Sequence, residues 1–534
     1  MKVRKFLKPD FSSSLCCAFA ASALFVSTNA LSDEKVSAET TVQVSQILVT
    51  QFDFEGNSVF KNAELQSLLS NSVNQMLTLE DMQKAAKKVE DYYHLQGYGL
   101  AKVKVPQQVF VNGGAVKLVV LEGQLGNITI KGNERYAEDN VIESLANRDI
   151  AKGDPIKLAS LEQSVVTLNR QSGIKAKASL KAGQEQGKTD LTIDITESPR
   201  VSGSFILNNY GTENTGKDRL YSQIQLANLS GVGDDLSFMG MSAVDGGDAW
   251  FAYSKYTRPL NMNGTSIAAY VSTGNVKVGE DLAVLNIKGD SLNTGIGISH
   301  DIIYSAREII TFGAWLESSD SKQTILGEDY IDDSIRKLRV GMSTETTGIG
   351  YRTLMSLDIH KGLGENLGAM ENNSNLSSRS YSGADNNFAK YTFSITHIRK
   401  INSYLTVLPR IYGQYAFNSL VSGETMAIGG KSSVPGHLAS AYSGDSGTVA
   451  SIEARVNLFA DNSNYQVIGS LSHGSISIKK PYVDQENVQR ISGASLGFAL
   501  TPIKNLHLRI DAAAPIGPET DGDSSIYAQA QVNF

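Results

Sequence analysis

Few residues in this 534-residue chain are placed for bond-making chemistry. Gly444-Asp445-Ser446-Gly447 spells the tetrapeptide around a serine-protease nucleophile. Thr448 stands where the next glycine is required, however, and none of the seven histidines has the context of a triad partner. His94, His300, His360, His397 and His507 lie apart, without metal-ligand spacing. The acidic run Asp329-Tyr330-Ile331-Asp332-Asp333 reads as loop surface. Gly429-Gly430 follows a strand pattern but opens no helix, so it cannot cradle a phosphate. Neither an enzyme, a cofactor nor a bound metal is expected. What remains is electrostatic. Glu453 and Arg455 are two apart on a strand and share a face, which in a barrel wall must be the lumen.

The elements that must position such a pair are announced at the end of the chain. From Ile526 to Phe534, Ile526, Ala528, Ala530, Val532 and Phe534 alternate with Tyr527, Gln529, Gln531 and Asn533. One apolar face toward lipid and one amide face toward a wet lumen is the pattern of a closing outer-membrane barrel strand. Upstream to Pro199, short alternating segments such as Gln223–Ala227, Ala494–Leu500 and Leu506–Asp511 are separated by Gly, Asn, Asp and Ser. Membrane strands need roughly 9–11 residues, so the segment fits about sixteen.

At the other end, Lys2, Arg4, Lys5 and Lys8 precede the apolar stretch Leu15–Val26 and the small residues Ser27 to Ala30, as in an export signal over 1–30. Both cysteines, Cys16 and Cys17, lie within it, so no disulfide framework is expected. Leu15 argues against lipidation at Cys16. Net charge is -7, which speaks against nucleic acid as a partner.

Between leader and barrel, a short polar segment (31–46) leads into two units of one plan. In the first (47–123), an extended stretch ends at Gly56-Asn57 and a short helical piece follows. The longer helical stripe Leu79, Met82, Ala86, Val89, Tyr93 then stops at Gly97, and two strands complete the unit. The second (124–198) repeats the order, with Gly132-Asn133 after its first strand and Gly173 after its long helix. The expected fold is therefore two α+β modules (βααββ) ahead of an all-β transmembrane barrel over 199–534.

At these residues the chain resembles the outer-membrane transporters of two-partner secretion, of the hemolysin activation/secretion type, within the superfamily of barrels bearing POTRA modules. The matching runs are Gly97-Tyr98, Val105-Pro106-Gln107-Gln108 and Val120-Leu121-Glu122-Gly123 in the first module. At the barrel entrance they are Asn209-Tyr210-Gly211, Gly233-Asp234 and Arg258-Pro259-Leu260. The resemblance implies that the modules capture an unfolded, large, secreted client protein in the periplasm by adding its strand to an open sheet edge. Val103, Val105, Pro106, Gln107 and Gln108 would form that site. It also implies a monomer in outer-membrane lipid, with Phe534 as the signal to the barrel assembly machinery. A barrel-inserting assembly factor and a passive diffusion channel are the alternatives.

Similar proteins fold a long loop into the barrel, with Val-Arg-Gly and an aromatic at its tip and the Arg paired to a wall Asp in an Asp-x-Gly triplet. This chain has Val434-Pro435-Gly436-His437 after Gly429-Gly430, and Ser472-His473-Gly474 for the triplet. Both partners of the pair are thus expected to be missing together, which is physically coherent because one buried charge left alone costs about 3–5 kcal/mol. The loop (428–447) would instead be held by His437 or His473. Some relatives thread an amino-terminal helix through the barrel. The short segment before the first module, at most about 50 Å when extended, predicts no such plug.

Overall fold

In the computed structural model of the chain, residues 46–517 and 524–534 are described. The expected leader, Cys16 and Cys17, the absent plug and all of the 31–46 segment but Gln46 lie outside them. The architecture is two α+β modules followed by a closed barrel of sixteen antiparallel strands.

In the first module the sheet runs Gln75–Leu77, Ile47–Glu55, Gly114–Leu121, Lys102–Lys104, with the two central strands parallel. Helix Leu79–Leu95 begins in a reciprocal cap between Thr78 and Asp81. It lays Met82, Ala86, Val89 and Tyr93 on the sheet core of Phe52, Val116 and Leu118. Leu79, counted in the same stripe above, is 50% exposed because the chain is only entering the helix there. The second module is a three-stranded sheet, Gln124–Lys131, Lys188–Glu197, Ile174–Ala182, with helices Glu138–Ala146 and Leu158–Asn169.

The repeat extends to a carboxylate in each unit. In the first, Glu122 accepts the amides of Ser58 (2.8 Å) and Val59 (2.9 Å), just after Gly56-Asn57, and the Tyr93 hydroxyl (2.8 Å). In the second, Glu197 accepts the amides of Arg135 (2.7 Å) and Tyr136 (2.9 Å), just after Gly132-Asn133, and pairs with the Arg135 guanidinium. Each carboxylate fixes the turn that leaves the first strand. Burial pushes Glu197 up, but the two amides and the guanidinium outweigh it and hold the group below its ordinary value.

The barrel strands follow chain order from Val201–Asn208 to Ser525–Asn533, which pair to close the ring. Gly203 and Phe534 exchange amide-to-carbonyl bonds of 3.0 Å in both directions, and Phe534 stacks on Phe205 at 5.5 Å. A side chain at Gly203 would strike that ring: its Cβ would lie 2.6 Å from Phe534 Cζ. Ile526 and Val532 face outward while Tyr527 is buried, the alternation read from the sequence.

The second module is clasped by three successive periplasmic turns. Ala137 and Ser172 donate backbone amides to Gly231 (2.9 Å) and Gly233 (3.0 Å). Glu143 accepts the Met262 amide (3.1 Å), Glu162 accepts the Ala306 amide (3.0 Å), and Arg170 pairs with Asp301.

Candidate functional site

The site grows from the connection between strands Leu405–Ala416 and Ser446–Phe459. It folds back as a hairpin of two short strands, Met426–Ile428 and Tyr442–Gly444. Ile428 and Val434 bury against Val449, Ile476 and Ile491 of the wall. Bare wall backbone makes room: Gly474 lies under Val434 and Ile428, and a Cβ on Gly493 would sit 1.8 Å from the Pro435 carbonyl oxygen. Gly436 is equally constrained, with φ of 89° and Ala514 backbone 2.4 Å from where its Cβ would be.

Electrostatics then fasten the tip, and here the sequence expectation needs correction. An ion pair is present. Lys431 reaches Asp511 on strand Leu506–Pro515 at 2.9 Å, with its ammonium 5.5 Å from the Tyr527 ring centroid. Asp511 is 0% exposed and also binds Arg509 at 2.8 Å. Arg509 continues to Glu453 (3.2 Å) and Glu453 to Arg455 (2.6 Å). The cation is supplied four residues before Pro435 and the carboxylate two strands beyond Ser472-His473-Gly474, so a long lysine spans what a motif match would not find.

The two histidines separate. His437 is buried, donating from Nε2 to the Ser492 carbonyl (2.9 Å), while its own carbonyl accepts the Gly430 amide (3.0 Å). His473 does not hold the loop. Strand period puts Ser472 inside and turns His473 outward beside Leu471, where it hydrogen-bonds Ser492 Oγ at 2.8 Å. Glu453 and Arg455 lie on the face opposite outward Ile452 and Val456, within the network that holds Lys431.

The base of the loop is held by further buried ion pairs, and of their members only Asp445 figures in the motifs above. Glu424 bridges Lys337 (2.5 Å) and Lys390 (2.9 Å) from the wall. Asp445, fully buried, takes Arg379 in a two-pronged contact (2.6 and 3.1 Å).

In the first module, Val103 points into the core and Val105 packs against it. Gln108 is occupied by the backbone of Lys117, with bonds of 2.9 Å in both directions. Nor is the edge at Lys102–Lys104 bare. Glu90 accepts the Val103 amide at 3.2 Å and pairs with Lys87 (2.9 Å) and Lys102 (3.3 Å). Burial pushes Glu90 up, but these donors prevail and hold it below its usual range. In the second module Asn169 covers the edge at one residue, exchanging bonds with Ala176 (2.9 and 3.0 Å). Strand Ile174–Ala182 continues past it with no strand on its outer side among the described residues.

Comparison with known proteins agrees with this fold. Residues 187–500 match the family described as haemolysin secretion/activation protein ShlB/FhaC/HecB, and residues 47–123 match the ShlB-type POTRA domain. The heme/hemopexin transporter protein HuxB of Haemophilus influenzae is 23% identical over 85% of this chain and 80% of its own length. The outer membrane transporter CdiB of Dickeya dadantii is 22% identical over 77% and 73%. Among solved structures, CdiB from Escherichia coli superposes with a TM-score of 0.74 at 19% identity, covering 94% of this chain and 93% of that one.

Proposed function

We propose the following route for a chain that belongs to the haemolysin secretion/activation (ShlB/FhaC/HecB) family and is an outer-membrane transporter of two-partner secretion, with its modules in the periplasm. An unfolded, large client adds as a strand to a module edge, passes through the wet lumen in extended form and folds outside. The client first engages Ile174–Ala182 of the second module, since Glu90 and Gln108 already occupy the edge around Val103 in the first. Pro106 and Gln107 flank that occupied edge and would guide the client toward it. No cofactor, metal, nucleic acid or catalytic step takes part. The protein acts as a monomer in outer-membrane lipid, placed there by the assembly machinery that reads Phe534.

The observation that carries the reading is the chain's own loop folded back against the inner wall of the barrel. It is fastened by side-chain contacts that can separate, Lys431 to Asp511 above all, and it lies beyond a module clasped to the periplasmic turns. Quantitative proteomics of medium and cell surface tests it, comparing a strain lacking the gene with strains complemented by residues 199–534 or by the full chain. Loss of one or two large exported proteins, restored only by the full chain, is expected. General loss of barrel proteins would replace the reading with an assembly factor, and an unchanged surface with a diffusion channel.

A further inference from the structure

We propose that residues 363–388, the connection between strands Tyr351–Gly362 and Ala389–Lys400, form a lid across the outer mouth, latched to the base of the in-folded loop by Arg379 and Asp445. On one side the segment is stitched to strand Glu328–Gly348. Met370 donates to the Ser334 carbonyl (2.8 Å), the Leu376 carbonyl accepts from Asp332 (2.9 Å), and the Ser378 amide donates to Asp333 (3.0 Å). On the other side Arg379 reaches Asp445, beside strand Ser446–Phe459, and the Lys479 carbonyl (3.2 Å) past the end of strand Asn462–Ser477. Those anchors lie on the first and last of six successive strands in a ring of sixteen. Between those ties the segment is bound to the base of the in-folded loop, which draws it over the mouth within that arc.

The segment is packed as well as tied. Met370, Ala384 and Phe388 of the lid bury against Ile335 of the wall and Leu420 and Val421 of the loop base. Ser378, Ser422 and Gly423 share a cavity of about 420 Å³ with Arg219 and Asn275 of more distant strands and with Lys322 of the strand paired with Glu328–Gly348. Anything leaving along the lumen meets this layer.

Asp445 makes the latch separable. Its oxygens also accept the amides of Leu420 (2.7 Å) and Lys479 (2.6 Å), which belong to the loop base and to the next outer connection. When the lid lifts, Arg379 moves toward external water while Asp445 keeps two backbone donors. Opening therefore leaves no naked buried carboxylate, the outcome that makes breaking most buried pairs prohibitive.

The lid rests on the lumen being the route proposed above. Potassium conductance of the purified full chain in planar bilayers tests it without a client, so this experiment and the secretion experiment can fail independently. The chain has no cysteine after Cys17, and the Ser422 amide donates to Ser378 Oγ at 2.8 Å. Ser378→Cys with Ser422→Cys therefore places a disulfide between lid and loop base. Oxidation is expected to reduce open events about tenfold, with recovery on adding reductant, whereas Arg379→Gln raises them about tenfold, the equivalent of roughly 1.4 kcal/mol. Folded Arg379→Gln barrels are identified by their resistance to detergent before heating. Equal conductance of the oxidised and reduced double-cysteine protein would overturn the lid. So would wild-type gating by folded Arg379→Gln, and if that variant does not fold the disulfide decides alone.

Discussion

Carboxylates are buried in both halves of the molecule, but they are answered by different kinds of partner. In the modules, Glu122 and Glu197 take backbone amides from a turn of their own unit, and those amides cannot leave without unfolding it. In the barrel, Asp445 and Asp511 are also answered by Arg379 and Lys431, side chains on connections that cross the lumen or its mouth and can leave, while Asp445 keeps the Leu420 and Lys479 amides. The first arrangement is a fixture and the second a latch. A transporter needs both, because the capturing modules must keep their shape while the conduit changes its own.

The largest break in that contrast is Asp445→Ala. It strips Arg379 of its carboxylate and leaves two amides unmatched, so a loss of about 3–5 kcal/mol is expected. The check is a lower temperature for the heat-induced mobility shift of the folded barrel. Pairing Asp445→Leu with Arg379→Met should recover the part of the loss that comes from the stranded guanidinium, because two apolar groups replace a buried pair nearly neutrally, while the unmatched Leu420 and Lys479 amides keep the rest. No recovery would mean that the site is a fixture like those of the modules.

Glu122→Ala comes next. Two turn amides and the Tyr93 hydroxyl lose their acceptor, an expected cost of about 2–3 kcal/mol confined to the first module. Glu122→Gln keeps one acceptor oxygen and should cost less than about 1 kcal/mol, since a fixture needs the acceptor more than the charge. Hydrogen exchange at Ser58 and Val59 measures both. A change in pore conductance from either variant would dissolve the distinction between the two halves.

Lys431→Met tests the latch at the tip and should be milder than Asp445→Ala. Asp511 keeps Arg509 when Lys431 is lost, so the expected cost is about 1–2 kcal/mol, seen as more frequent opening in bilayers. Asp511→Asn should exceed it, because Arg509 and Lys431 are then both left facing an amide. Equal effects would show that the two cations do not share the carboxylate.

What could be read beforehand follows from distance along the chain. The alternation in 526–534 and the Gly-Asn turns of the two modules are local periods, visible without knowing what they pack against. Strand Gln75–Leu77 was not visible, being three residues long with no alternation to display. The loop itself was legible through Gly429-Gly430, Val434 and Gly436. Its fastening was not, since Lys431 and Asp511 meet only once the barrel has closed and no spacing in the sequence reports that. One signal was available: Leu471 and His473 share a strand face, and an outward Leu471 carries His473 outward with it. Asp445 stood out only within Gly444-Asp445-Ser446-Gly447, and nothing in the sequence tied it to Arg379, which lies in an irregular connection 66 residues away.

The smallest expected effect concerns the module edges, where a fixture and a titratable guard occupy equivalent places. Asn169 covers the Ala176 amide and has no charge to lose, whereas Glu90 covers Val103 as a carboxylate. Because Glu90 is held below its ordinary value when folded, its contribution is complete above the unfolded carboxyl range near about 4.3 and is lost as pH falls through the folded value. Protection of the Val103 amide against hydrogen exchange, corrected for intrinsic rates, should therefore fall a few-fold relative to Ala176 between about pH 5 and pH 3.5, a difference below about 1 kcal/mol. Glu90→Gln should remove the pH dependence while keeping most of the protection at neutral pH. If Val103 and Ala176 instead lost protection in parallel, the charge of Glu90 would be incidental. The first module's edge would then loosen in acid only as the second module's does, through stability common to both and not through Glu90.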